Sequence, residues 1–244
     1  MNHLPSDQKD ILDKKIVEFV IHGLCPLSIV DYQKFCELVH ALKPSYNPPS
    51  RRALKRKIEQ YQSIVMSSIK TIILNEIELG NKITIVIDMW TDRLQKPFGG
   101  MFVFFIDANL TIQKKLLSFS YFPESHSAPN ISDWINSVLE SYSIHRNDIS
   151  AAVTDNAANM RATFHNEITE ISNYFCVAHT LQLVVTNSIN DSNGISNVLK
   201  KVQSIVSYFR RSWKASVNLV NVQTGLLDFS KALVLIPDVQ TRWS

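Results

Sequence analysis

The period of the hydrophobic pattern changes at residue 83, and that change limits the fold more than any other feature of the chain. Upstream, the spacing is helical. Ile11, Leu12, Ile16, Phe19 and Val20 recur on one face behind Ser6, which reads as an N-cap with Asp7 and Asp10 in the first turn. After a break at "CPLS" (25–28), a second helix places Phe35, Leu38, Val39 and Leu42 on one side. "KPSYNPPS" (43–50) is a proline-rich loop, and Ser50 caps a third helix carrying Leu54, Ile58 and Tyr61. From 83 the run "ITIVID" has no alternation, which predicts a strand buried on both faces.

"GGMFVFFIDANL" and "TIQKKLLSFSYF" predict the next two strands, joined tightly at "DANL". "SDWINSVLESY" (132–142) is an amphipathic helix with a Ser132 cap. "DISAAVTD" is a fourth strand and "NAANMRATFHNEI" a helix. "NYFCVAHTLQLVV" begins as a short strand and turns into a helix. Residues 195–213 form a further helix with Ile195, Val198, Leu199, Val202, Ile205, Val206 and Phe209 on its apolar face. The order β-β-β-α-β-α-β-α describes an α/β fold: a hairpin meander, then a crossover that returns a strand parallel to the first. It divides the chain into a helical region (1–78), an α/β core (79–190) and the start of a second helical region (191–244).

Two strands in this order end in a carboxylate, Asp88 in "KITIVIDMWTD" and Asp155 in "ISAAVTDNAANM". If the first and fourth strands are neighbours, their C-terminal ends lie side by side, at the edge where open α/β sheets bind ligands. A carboxylate leaving a buried strand is costly unless it is solvated, paired or bound to a metal. Two together repel unless a cation sits between them. Magnesium, a hard ion that takes oxygen ligands and keeps waters for phosphates, suits such a pair. Asp155 equally fits an ordinary N-cap, and pattern alone favours that role. Asp88 has no helix after it. Asp92 reads as a turn residue.

"IDMWTD", "VTDNAANM", "CVAHTLQLVV" and "TRWS", in this order, resemble the hAT superfamily of DNA transposases, and "PLSIVDYQKFCELVHALKPSYNPPSRRALKRKI" resembles its BED-zinc-finger and ricesleeper-like branch. The resemblance implies an RNase H-like mixed sheet, preceded by a DNA-binding-type helical region and followed by the start of a helical insertion domain. It implies that Asp88 and Asp155 hold catalytic Mg²⁺ or Mn²⁺. It also implies that Cys176 and His179, matching the family's C-x-x-H motif, help to shape the active site, and that Arg242 and Trp243 match its R-W motif, whose tryptophan stacks on a flipped base. Cys176 and His179 supply two ligands where structural zinc needs about four, so no structural zinc is expected in this chain. The family's third carboxylate, a Glu, lies beyond the insertion domain, and the sequence ends at Ser244 before reaching it.

The segment "RRALKRK" contributes Arg51, Arg52, Lys55, Arg56 and Lys57. Such a run is usually a solvated helix face. Arg51 and Arg52, however, fall in the first turn of a helix, where positive charge opposes the macrodipole, and a DNA phosphate would relieve that conflict. The net charge of +3 says little by itself, and a polar start argues against a signal peptide. No apolar run reaches the roughly 18 residues of a membrane span, so no membrane is expected as a partner. Three unpaired cysteines, Cys25, Cys36 and Cys176, fit a reducing compartment, and the resemblance implies the nucleus. The expected function is that of a transposase-derived DNA-binding protein whose core lacks the third carboxylate, with DNA and self-association as its interactions. The alternatives are an active metal-dependent transposase or nuclease, if the chain belongs to a longer protein, and a non-catalytic protein-interaction module.

Overall fold

The computed structural model describes residues 4–92 and 94–226, together with 233, 235 and 236. Helix α1 spans Ser6–His22, α2 Gln33–Leu42 and α3 Arg51–Glu78, with a 3₁₀ turn at Leu27–Asp31. Ser50 caps α3 as expected, its hydroxyl accepting the Ala53 N–H at 3.3 Å. Ser6 is not a cap. Pro5 takes that position, since its carbonyl already accepts the first helical bond from Lys9. Val17 and Val20 of α1, Val30 of the 3₁₀ turn and Leu54 of α3 form a small core. Helix α2 contributes little to it, because Leu38 and Leu42 remain exposed.

One buried carboxylate organises this bundle. Asp13 is 1% exposed and accepts a hydrogen bond from the Tyr46 hydroxyl at 2.6 Å. Lys57 of α3 lies 3.1 Å from its other oxygen. Burial and the Asp13 charge push the Tyr46 hydroxyl far up, and the bond to Asp13 raises the Lys57 ammonium. A buried charge is tolerated only when partnered in this way. The contacts tie the proline-rich loop and α3 to α1.

The far half of α3 serves a second core. Its Ile73, with Met66, Ile69 and Ile77, packs on the sheet. That sheet comprises β1 (Ile83–Thr91), β2 (Pro97–Ile106), β3 (Ile112–Tyr121), β4 (Ile149–Thr154) and β5 (Ser172–Phe175) in the order β3-β2-β1-β4-β5. β1, β2 and β3 pair antiparallel, while β4 and β5 run parallel to β1. Helix α4 (Ala128–Ser141) lays Ile131, Ile135, Val138 and Leu139 over the same face. It begins four residues earlier than expected, after Ser127, and Ser132 is buried inside it rather than capping it. β1 also departs from expectation. Ile83, Ile85 and Ile87 are buried, but Thr84 and Val86 are only partly covered and Asp88 is exposed. The alternation arises because helices cover one face of the meander and leave the other open.

Helix α5 (Ala158–Ala162) runs into a π-helical turn at Thr163–Glu167. α6 (Val177–Asp191), α7 (Asn193–Arg211) and α8 (Trp213–Leu226) follow. The apolar face expected on 195–213 exists, yet Ile195, Val198, Val202 and Ile205 are all exposed.

Asp13→Ala is expected to lower unfolding stability by roughly 2–4 kcal/mol, because it strands the buried Tyr46 hydroxyl and leaves Lys57 only its pairing with Asp10 at 3.5 Å. Tyr46→Phe removes one charged hydrogen bond and costs about 1–2 kcal/mol. Urea unfolding of both variants tests the order, and a Tyr46→Phe loss larger than that of Asp13→Ala would contradict it.

Candidate functional site

Pairing register brings Asp88 and Asp155 together. β1 runs parallel to β4 with Val86 opposite Val153. Two residues further along each strand stand Asp88 and Asp155, on the same face of the sheet because the side-chain period is two. On its other side Asp88 is paired with Gly100 of β2. The Asp88 carboxyl is pushed above its ordinary range, first by burial and then by the charge of Asp155. The Met89 backbone N–H and His179 act in the opposite sense. The residue is nonetheless exposed, so one side of the carboxylate is crowded and the other reaches solvent.

Asp155 is not the cap of α5, as pattern alone favoured. Ala157 occupies that position. The Asp155 Oδ1 accepts the Ala157 N–H at 3.2 Å, a local turn that fixes the side chain just beyond the strand. Behind it, the buried Thr154 hydroxyl donates to the Asp155 carbonyl at 2.9 Å and accepts from Asn173 of β5 at 3.1 Å. The next residue, Asn156, has a buried side-chain oxygen without a hydrogen-bond partner. The set is oxygen-rich and like-charged, so it fits a hard divalent cation, with Asp88 and Asp155 as the residues to hold it. Among the described residues, no group of three or more His, Cys, Asp or Glu stands ready to bind a metal.

The other expected site residues fall into three groups. Cys176 and His179 do adjoin the aspartates. The Cys176 N–H donates to the Thr154 carbonyl at 2.7 Å, which fastens the start of α6 to the end of β4, and His179 in the first turn acts electrostatically on Asp88. Cys176 is a free thiol. Arg242 and Trp243 lie outside the described residues.

The basic segment sits apart, at the start of α3, and is already partly spent. Arg51 pairs with Asp31, Lys55 lies 3.7 Å from Glu59, and Lys57 belongs to Asp13. The expected conflict between Arg51 and the helix dipole is thus answered within the protein. Arg52 and Arg56 are exposed and have no ion pair among the described residues. They line a surface concavity of about 570 Å³ with Ser50, Ala53, Lys55 and Glu59. Another, of about 590 Å³ between α5 and β5, contains neither aspartate. Asn156, Thr154 and Asn173 were not foreseen from sequence. The spacing of "TDNAAN" pointed to a cap rather than a turn.

The pressure on Asp88 has a consequence for stability. A carboxyl held above its unfolded value favours folding least when ionised, so stability falls as pH rises through the carboxylate range. Asp88→Asn is expected to raise the melting temperature at neutral pH by a small amount, since solvent screens the open side. The gain should vanish below about pH 4, where the parent carboxyl is also protonated. Melting curves across pH check this, and a gain that persists in acid would refute the assigned cause.

Two family models match this chain from residue 86 onward. The ZBED1 RNase-like domain matches residues 86–183, and the ZBED1 RNase-like helical domain matches residues 174–244. The chain is 24% identical to "Putative transcriptional regulator tpeD" of Talaromyces stipitatus, over 95% of this chain and 31% of that protein. It is 21% identical to "Putative AC transposase" of Zea mays, over 95% of this chain and 29% of that protein. With "Zinc finger BED domain-containing protein 4" of Homo sapiens it shares 25% identity, over 94% of this chain and 20% of that protein. The chain therefore spans less than a third of the length of these relatives. The mixed five-stranded sheet followed by helices is consistent with an RNase-like domain and the helical domain after it, and with these relatives the chain belongs to the hAT-type, transposase-related family.

Proposed function

We propose that this chain handles DNA in the manner of a transposase. α3 grips the phosphate backbone, and the strand ends of β1 and β4 present two carboxylates to a divalent cation. The observation that carries the reading is the in-register placement of Asp88 and Asp155, with Asp88 pushed up first by burial and then by the charge of its neighbour. Asp88 and Asp155 would hold Mg²⁺ or Mn²⁺, which would supply Lewis-acid chemistry for phosphoryl transfer. The protein's own residues do the positioning. The Ala157 N–H holds Asp155, Thr154 and Asn173 brace the end of β4, and His179 tempers the negative charge. Two carboxylates alone make a weak site for a divalent cation, so this span is expected to bind the metal weakly. The nucleus is the compartment consistent with this role.

DNA recognition is backbone-directed. Arg52 and Arg56 lie one helical turn apart on the same face, free to meet successive phosphates, and nothing in that arrangement reads base edges. The exposed apolar face of α7 favours a second reading, in which this span also associates with protein.

Two experiments test the proposal. Calorimetric titration with Mn²⁺ should show weak binding that Asp88→Asn abolishes, and equal binding by parent and variant would mean the site is misassigned. Replacing Arg52 and Arg56 together with Ala should weaken binding to all DNA sequences alike. The double replacement should also reduce the slope of log affinity against log salt by about two. An unchanged slope would remove α3 from the interface.

A further inference from the structure

The open face of the sheet carries an aromatic row that leads to the aspartates. Its members come from three strands. Trp90 follows Asp88 by two residues on β1, so both point to the same face. Phe98 of β2 pairs with Trp90 and with Tyr121 of β3. Phe119 of β3 pairs with Gly100, which itself pairs with Asp88. The rings touch in sequence. Trp90 to Phe119 is 5.3 Å between centroids, Phe98 to Phe119 is 5.7 Å, and Phe98 to Tyr121 is 5.9 Å.

Two irregularities build this row. The first is a β-bulge in β3. Met101 pairs with Ser118 but Phe102 with Leu116, so Leu117 is an extra residue. It turns inward and is buried. The insertion shifts the phase of everything after it, and Phe119 and Tyr121 come to the open face beside Trp90. Bulges often serve to re-aim side chains in this way. The second is Gly100, whose missing Cβ would stand 3.1 Å from the Trp90 ring. The absence of a side chain lets the indole lie against the strand next to Asp88.

A cluster serving only as core would be covered, but Phe119 is 63% and Tyr121 55% exposed. A cation stands further along the same face, where Lys114 lies 6.0 Å over the Phe102 ring. Flat exposed rings with an ammonium group on the same face match the bases and phosphates of an unpaired strand. A protein helix laid on the same row would cover Asp88 and strip its carboxylate of water, at high cost.

We infer that Trp90, Phe98, Phe119 and Tyr121 form a stacking surface for unpaired nucleotides, which lays the end of a DNA strand beside Asp88 and Asp155. The inference rests on the DNA-handling reading above.

The test compares a blunt duplex with the same duplex bearing a 3′ overhang that contains 2-aminopurine, whose fluorescence reports stacking. The parent chain should quench the probe and bind the overhang about five- to 150-fold more tightly than the blunt end, the range expected for one stacked base. The double replacement Phe119→Leu and Tyr121→Leu keeps apolar area but removes the rings. It should lose the preference and the quenching while blunt-duplex affinity stays unchanged. Equal affinity of the parent for both DNAs, or a preference retained by the leucine variant, would overturn the proposal and leave backbone binding standing. Loss of an oligomer in the leucine variant would assign the row to protein contact instead. If the parent binds neither DNA, the broader reading falls as well.

Discussion

The parallel ladder between β1 and β4 is the contact on which the site depends. Each strand alone ends in an unremarkable aspartate. Pairing Val86 with Val153 makes those ends coincide, and a slip of one residue would send the two carboxylates to opposite faces. The register is held from the buried side, where Ile83, Ile85, Ile87 and Ala152 are packed beneath α3 and α4. Hydrophobic packing on one face thereby fixes electrostatics on the other. The repulsion felt by Asp88 is a cost the fold absorbs in that packing.

α3 links the two halves of the structure. Its first turns belong to the small bundle and carry the cations, while its last turns are clamped to the sheet through Ile73 and Ile77. Asp13, Tyr46 and Lys57 set the position of its beginning, and the ion pair from Arg51 to Asp31 adds a surface tie. The basic run is therefore divided by burial. Lys57 is structural, whereas Arg52 and Arg56 remain outside.

Much of this was legible from the sequence because the signals were local and strong. The strand order, the "DANL" connection, the Ser50 cap and the two strand-end aspartates all follow from period and punctuation. What could not be read depends on distant partners. The division of the basic segment needed Asp13, some 44 positions away in the chain, and the Ser132 cap failed because Ser127 lay just ahead in a segment that looked like loop. "ITIVID" suggested burial on both faces because apolar content was taken for coverage. The bulge at Leu117 left no trace in "KKLLSFSYF", where alternation is already blurred by adjacent leucines.

The same bulge has a bearing on how the protein avoids sticking to copies of itself. A sheet of this order ends in two unpaired margins, β3 and β5, each able to template another strand. β5 is four residues long and offers little to pair with. β3 is ten residues long and would be the more dangerous margin. There the extra residue breaks the spacing of the outward N–H and C=O groups midway, and Lys114 and Lys115 charge the remaining half. Any strand approaching from outside meets a ladder out of step and two ammonium groups. The device that turns Phe119 and Tyr121 toward the carboxylates thus also guards the sheet against runaway pairing.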